Sequence, residues 1–137
     1  MKNHDLLTIK AGLRNMALQF KIDKKHLLIM VTVQDTIELP DLLKVINDYE
    51  LDEDYSKVMN IIYDFRDGAI EISPDGMIKL VEFLKIKKQK NSYKLALVSQ
   101  ADGFIGQSRM FDVYAEELAS SIKIFRDMPS CLQWINL

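Results

Sequence analysis

Asp64 and Arg66 are the first candidates for chemistry, because they lie where the apolar segment Met59–Phe65 gives way to polar residues. Together with Asp67, the Asp64 carboxylate could form an acid–base pair or bind a cation. A structural role is the simpler explanation, since Asp64 can accept hydrogen bonds from loop amides and Asp67-Gly68 is typical of a turn. The sequence therefore places Asp64 and Arg66 at a ligand- or partner-binding loop rather than in a defined catalytic group.

Ser73 begins the segment Ser73-Pro74-Asp75, which is typical of a helix start. The serine hydroxyl can accept an N–H of the first turn, proline has a suitable φ, and aspartate complements the positive end of the helix dipole. Ser73 could also be a nucleophile or a phosphorylation target, because a phosphate at a helix N-terminus is stabilised by the same dipole. Capping and phosphorylation are compatible with each other.

A third polar segment follows the next apolar stretch and carries Gln100, Asp102, Gly106 and Arg109. Two glycines, of which Gly106 is the second, suggest a phosphate-binding turn. The lysine of a Walker loop and the third glycine of a dinucleotide fingerprint are absent, however. Arg109 lies near a predicted helix start, where a cation is unfavourable without an anionic partner. That partner is either a nearby carboxylate, such as Asp102, or an anionic ligand.

The types of residue present argue against the common hydrolase sites. The histidines, His4 and His26, lack neighbours at metal-ligand spacing, and neither follows a strand where a Ser-His-Asp triad would need it. Cys131 is the single cysteine, which excludes an internal disulfide and a cysteine-based zinc cluster. We therefore assign no catalytic residue, no metal site and no cofactor.

Periodicity predicts the strands that position these residues. Met16–Ile22 alternates apolar and polar residues, as a half-buried strand does, and 26–33 is a continuous apolar segment after a short polar turn. These two segments predict an antiparallel hairpin. Further strands are predicted at 59–65, 93–99 and 121–126.

Helices are predicted where apolar residues recur at positions i, i+3, i+4 and i+7. They cover about 36–52, the segment after Ser73, 104–120, and a closing segment. Their apolar faces comprise Leu42, Val45, Ile46 and Tyr49; Met77, Leu80, Val81 and Leu84; and Met128, Cys131, Leu132 and Ile135. A hairpin followed by alternating helices and strands predicts an α/β fold, with a mixed, mainly parallel sheet covered by helices. Loops after parallel strands share one edge, so we expect Asp64, Ser73 and Arg109 on one rim.

Composition places the chain among ordinary globular proteins. Of its 137 residues, 48% are hydrophobic and the net charge is −2, so no basic surface for nucleic acid is indicated. No apolar stretch reaches the roughly 18–20 residues that a membrane span needs, and the N-terminus lacks the apolar core of a signal peptide. We expect a flexible tail at 1–14, one domain at 15–137, and a cytoplasmic location.

Short motifs resemble those of the STAS-like superfamily, which includes anti-sigma-factor antagonists. They are Ile61-Ile-Tyr-Asp-Phe-Arg66, Gly106-Gln-Ser-Arg-Met-Phe111, and Ile124-Phe-Arg-Asp127 followed by Cys131-Leu-Gln-Trp-Ile135. More closely, the chain resembles small uncharacterised bacterial proteins grouped with STAS and CRAL-TRIO folds. In antagonists of this superfamily, a strand ending in aspartate leads to a phosphorylatable serine at a helix N-cap, which falls on Ser73 here.

The resemblance implies a non-enzymatic regulatory or protein-interaction module, switched at Ser73. The alternative is a carrier or sensor that holds a small anionic or apolar ligand at the rim, with Arg109 as its anchor. An enzyme that uses Asp64, Arg66 and Asp102 ranks last, because no nucleophile is paired with a suitable base. The expected partner is thus a protein or a small molecule, and a homodimer is a further hypothesis.

Overall fold

The structure, a computed structural model, describes residues 17–90, 93–100 and 122–136, with only the backbone at 88–90. A five-stranded sheet in the order β1-β2-β3-β4-β5 forms its centre. The first pair of strands is antiparallel and the others are parallel. The elements are β1 (Leu18–Asp23), β2 (Leu28–Glu38), α1 (Leu39–Glu50), β3 (Asn60–Glu71), α2 (Pro74–Lys90), β4 (Leu95–Val98), β5 (Ile122–Phe125) and α3 (Met128–Ile135). The α/β prediction with its leading hairpin is confirmed.

The N-terminal hairpin forms where the alternating pattern predicts it. β1 packs Leu18, Phe20 and Ile22 against the core. At the turn, Asp23 Oδ1 accepts a hydrogen bond from the His26 backbone N–H at 3.1 Å. The Asp23 carboxylate also lies 2.7 Å from His26 Nδ1. This contact holds the His26 side chain on the hairpin turn.

β2 is longer than the sequence predicted. Its apolar pattern ends at Val33, but the strand continues to Glu38 and α1 begins directly at Leu39. The extension forms because residues 34–38 pair with 67–71 of β3, which buries Ile37. Pro40 then lies in the first turn of α1, and the Glu38 backbone N–H donates to Asp41 Oδ2 at 2.9 Å, which closes that turn.

β3 corrects a second prediction, because residues 66–71 are strand rather than loop. The ladder with β2 shifts register between Thr32 and Gln34, opposite the step from Asp64 to Asp67, and then continues to Glu71. Gly68 therefore does not form a turn. A Cβ atom at Gly68 would lie 2.6 Å from the Val33 carbonyl oxygen, so glycine is needed for the close approach of two strands.

The predicted apolar faces of the helices are confirmed. α1 and α2 cover one face of the sheet, and their side chains join the main core: Leu42, Val45, Ile46, Tyr49, Met77, Leu80, Val81 and Leu84. α3 packs on the opposite face, where Cys131 and Ile135 are buried against β3 and β4, flanked by Met128 and Leu132. The predicted helix at 104–120 and the tail at 1–14 lie outside the described residues. Within the ranges described, no helix combines the length and apolar character that a membrane crossing requires.

Candidate functional site

The carboxyl ends of β4 and β5, together with Asp64 in the middle of β3, form a rim that carries several of the predicted residues. Val98 at the end of β4 pairs with Asp64 on one side and with Phe125 on the other. Asp64, Gln100 and Arg126 therefore lie at or just beyond the same edge of the sheet, as the parallel topology predicts. Gln100 is exposed there, whereas Ser99 is fully buried.

Asp64 and Arg66 form a bidentate ion pair at this rim. Arg66 Nε donates to Asp64 Oδ1 at 2.9 Å, and Arg66 Nη2 donates to Oδ2 at 2.8 Å. The Arg66 backbone N–H adds a third hydrogen bond to Oδ1 at 3.0 Å. The Asp64 side chain is only 12% exposed, while the Arg66 side chain is 42% exposed. Arg66 thus covers a carboxylate that faces the same side of the sheet as α3.

The arginine determines the protonation state of Asp64. Burial acts to raise the pKa of Asp64, but the hydrogen bonds and the charge of Arg66 outweigh it and lower that pKa below its ordinary value. A carboxylate that is ionised and already accepts three hydrogen bonds is a poor general base. The pair therefore suits a structural or ligand-positioning role better than proton transfer.

Replacing Arg66 by glutamine tests this arrangement. In Arg66→Gln the pKa of Asp64 is expected to rise above that of a free aspartate, because the burial remains after the charge is removed. A pH titration of the Asp64 carboxyl carbon by NMR would measure the change in both proteins. An unchanged pKa would mean that Arg66 does not contact Asp64 in solution. Lys44→Gln, which removes a cation from the exposed pair with Asp48, is the control that should leave Asp64 unaffected.

Behind this rim lies Cys131, which is fully buried on α3. Burial, together with the nearby charges of Asp64 and Asp127, raises the pKa of its thiol to about 11. At neutral pH it is therefore a protonated side chain of the core and not a nucleophile. Asp127 caps α3, since its carboxylate accepts hydrogen bonds from Ser130 N at 2.7 Å and from Ser130 Oγ at 3.1 Å.

Ser73 is not on the rim, so the expectation of a single shared rim is wrong for this residue. After Asp64, β3 continues for seven residues before Ile72 and Ser73 connect it to α2. At about 3.3 Å per residue, this strand carries the chain more than about 20 Å beyond the rim. The physical reason is the extended β2–β3 pairing, which local sequence patterns do not reveal.

Ser73 has the geometry of a helix N-cap. Its Oγ accepts a hydrogen bond from the Gly76 backbone N–H at 3.0 Å, and Pro74 is the first residue of α2. Ser73 is exposed, so its hydroxyl is open to modification while it caps the helix. The Ser73-Pro74-Asp75 segment thus adopts the local structure that its residue types favour.

Removing this cap is expected to destabilise the protein moderately. Ser73→Ala should lower the free energy of unfolding by about 1 kcal/mol, because the Gly76 N–H loses its acceptor. Urea denaturation at neutral pH would measure the loss. Ser73→Asp is the matched control, since aspartate is an equally good cap and its charge is favourable at a helix N-terminus. Equal stability of the alanine and aspartate variants would contradict the capping role.

Three predicted residues, Asp102, Gly106 and Arg109, lie outside the described residues. Their proposed contact with a ligand therefore stays a prediction. Within the described ranges, no group of three or more His, Cys, Asp and Glu side chains has the arrangement of a metal site. Of the residues predicted for the rim, the structure describes Asp64, Arg66 and Gln100.

Sequence reasoning missed an acidic surface at the end of the β2–β3 extension, which we call the acidic tip. It comprises residues 34–41 and 67–77, which contain no lysine or arginine. Its acidic residues are Asp35, Glu38, Asp41, Asp67, Glu71 and Asp75, and all six are exposed. They come from two segments that approach each other only because β2 pairs with β3, so spacing along the chain gives no signal for them.

A scan against protein-family models gives no match to this chain. A search of curated proteins likewise gives none.

Proposed function

We propose that this chain is a non-enzymatic protein-interaction module of the STAS-like type, with the acidic tip and Ser73 as its docking and regulatory surface. The observation that carries the proposal is the position of Ser73, an exposed hydroxyl that caps a 17-residue helix at the end of a long strand extension. The short motifs given above support the same assignment.

A phosphate on Ser73 would be chemically favourable at this position. The first turn of α2 offers backbone N–H groups without helical partners, and the dipole of the helix stabilises negative charge there. The phosphate would also add about −1.5 to −2 charges to a surface that is already acidic. Modification would therefore change the electrostatic surface presented to a partner without unfolding the helix.

The rim gives weaker support to the carrier alternative. Arg66 is the described cation best placed to bind an anionic ligand, but its guanidinium already forms two hydrogen bonds with Asp64. That pairing neutralises most of the charge a ligand would need. The alternative predicts a bound small molecule in native mass spectra of the purified protein, and a mass equal to that of the chain alone would count against it.

The proposal is tested by phosphorylation. The purified protein is incubated with ATP and a lysate of its source cells, and peptide mass spectrometry locates the phosphate. We expect modification at Ser73, and its loss in Ser73→Ala. Partner capture is then compared between Ser73→Asp and Ser73→Ala, and a partner that distinguishes the two variants supports the switch. A protein that is never modified at Ser73 and captures the same partners in both forms would refute it.

A further inference from the structure

We define the outer edge of β3 as residues Asp67–Glu71 on the side of the strand away from β2. This edge is not paired with any other described strand. β4 pairs with β3 only over Ile61–Asp64. Among the described residues, none of the backbone hydrogen bonds outside the ladders reaches Asp67–Glu71. Alternate N–H and C=O groups of this five-residue segment therefore point away from the sheet, as they do in domains that bind an extended peptide as an added strand.

Several of the usual protections against strand addition are missing from the described residues of this edge. Natural edges are blocked by charged side chains, especially lysine, by proline, by very short strands, by a bulge, or by a helix or loop that covers them. The segment Asp67-Gly-Ala-Ile-Glu71 contains neither lysine nor proline, and the register shift of the ladder lies before it. Gly68 has no side chain and Ala69 has only a methyl group, so neither residue covers the backbone of the edge.

The other exposed edges are poorer templates. On the opposite side of the extension, β2 beyond Gln34 includes Asp35, whose φ of 58° turns the backbone out of the extended conformation. β5 comprises four residues. The outer edge of β1 contains both Lys21 and Asp23, so it carries no net charge that would select a partner.

Charge identifies the kind of strand that would bind to β3. Asp67 and Glu71 are at the two ends of the outer edge, while the other four acidic residues of the tip lie on β2, α1 and α2. None of these six carboxylates takes part in an ion pair with another described residue. A basic extended segment would meet the carboxylates of Asp67 and Glu71 at the two ends of the edge, whereas a second copy of this edge would be repelled.

We infer that the outer edge of β3 binds a basic, extended peptide segment of a partner protein by adding it as a strand to the sheet. The inference rests on the proposed function, because it states the chemistry of the partner that the acidic tip accepts. Backbone hydrogen bonds provide the binding geometry, Asp67 and Glu71 select lysine and arginine in the added strand, and the other carboxylates of the acidic tip make the surrounding surface negative. Affinity should fall with ionic strength, since the carboxylates are exposed to solvent.

The probe is a fluorescent heptapeptide of alternating lysine and valine, measured with the full chain by anisotropy. Two control peptides separate the contributions: one is N-methylated at three consecutive central residues, and the other has glutamate in place of lysine. We expect the methylated peptide to bind at least about tenfold more weakly and the acidic peptide not to bind. Equal affinities of the methylated and unmethylated peptides would overturn strand addition, because charge alone would then explain the binding.

NMR locates the bound peptide. Backbone amide shifts and slower hydrogen exchange are expected at Asp67–Glu71, and changes confined to Leu18–Asp23 of β1 would overturn the assignment. Asp67→Asn combined with Glu71→Gln should weaken binding several-fold without changing the denaturation midpoint. Lack of peptide binding would refute this inference alone, since phosphorylation of Ser73 is measured independently by mass.

Discussion

Raising the pH above about 10 is expected to destabilise this protein far more steeply than a variant that lacks two buried tyrosines. The hydroxyl groups of Tyr49 and Tyr63 lie 2.9 Å apart inside the core, and each residue is only 3% exposed. Burial raises the pKa of Tyr49, and the charge and hydrogen bond of Tyr63 raise it further. Burial likewise raises the pKa of Tyr63, although its hydrogen bond with Tyr49 opposes that effect.

The direction of the effect follows from proton linkage. In the unfolded chain a tyrosine ionises near pH 10, whereas in the folded protein both hydroxyls keep their protons to higher pH. Above about pH 10 the unfolded state therefore holds fewer protons than the folded state, and stability falls as pH rises. Two such groups give a slope of about 2.7 kcal/mol per pH unit until the folded-state pKa values are reached. Below pH 10 their contribution is fully present.

The control is Tyr49→Phe combined with Tyr63→Phe. Replacing both partners of a buried hydrogen bond by apolar groups of the same shape is nearly neutral, so the double variant should match the natural protein at pH 7. Urea denaturation from about pH 9 to about pH 12 should then show a much shallower decline for the variant. Burial also raises the pKa values of Tyr55, Tyr93 and Cys131, but both proteins contain these residues. Parallel curves would mean that the two hydroxyls are accessible to solvent.

Sequence patterns predicted most of the elements of this fold, and the reasons are local. The faces of α1, α2 and α3 follow from residues spaced at helical periods, such as Met77, Leu80 and Val81, which need no knowledge of a partner. The cap at Ser73 is likewise encoded in consecutive residues. These features are decided within a few residues along the chain.

What the sequence did not predict depends on pairing between distant strands. Asp67-Gly68 is typical of a turn, and only contact with Val33 in β2 shows why glycine is required within a strand. The same pairing separates Ser73 from Asp64 and brings Asp35 beside Gly68. The ion pair of Asp64 with Arg66 lies at the register shift of the ladder, which a local pattern does not contain. The rim was thus predicted in part, and the acidic tip was not.

Replacing Gly68 by alanine is expected to be the most damaging small substitution in the extension. The added Cβ would lie 2.6 Å from the Val33 carbonyl oxygen and 2.8 Å from its carbonyl carbon. These are backbone atoms in the adjacent strand, which cannot retreat without breaking the ladder. We expect a loss of about 2–3 kcal/mol in the free energy of unfolding, at the upper end of the usual cost of overpacking. Urea denaturation at neutral pH would measure it.

Gly76→Ala provides the comparison that connects this prediction to function. A Cβ at Gly76 would meet side-chain atoms, Ile72 Cγ1 at 3.0 Å and Ser73 Oγ at 3.2 Å, which can move, and alanine favours the helix. Its effect should therefore be much smaller than that of Gly68→Ala. If Gly68→Ala were equally mild, residues 64–73 would form the loop that the Asp-Gly pair suggests. β3 would then end near the rim, and neither the outer edge nor the acidic tip would exist as a surface for a partner.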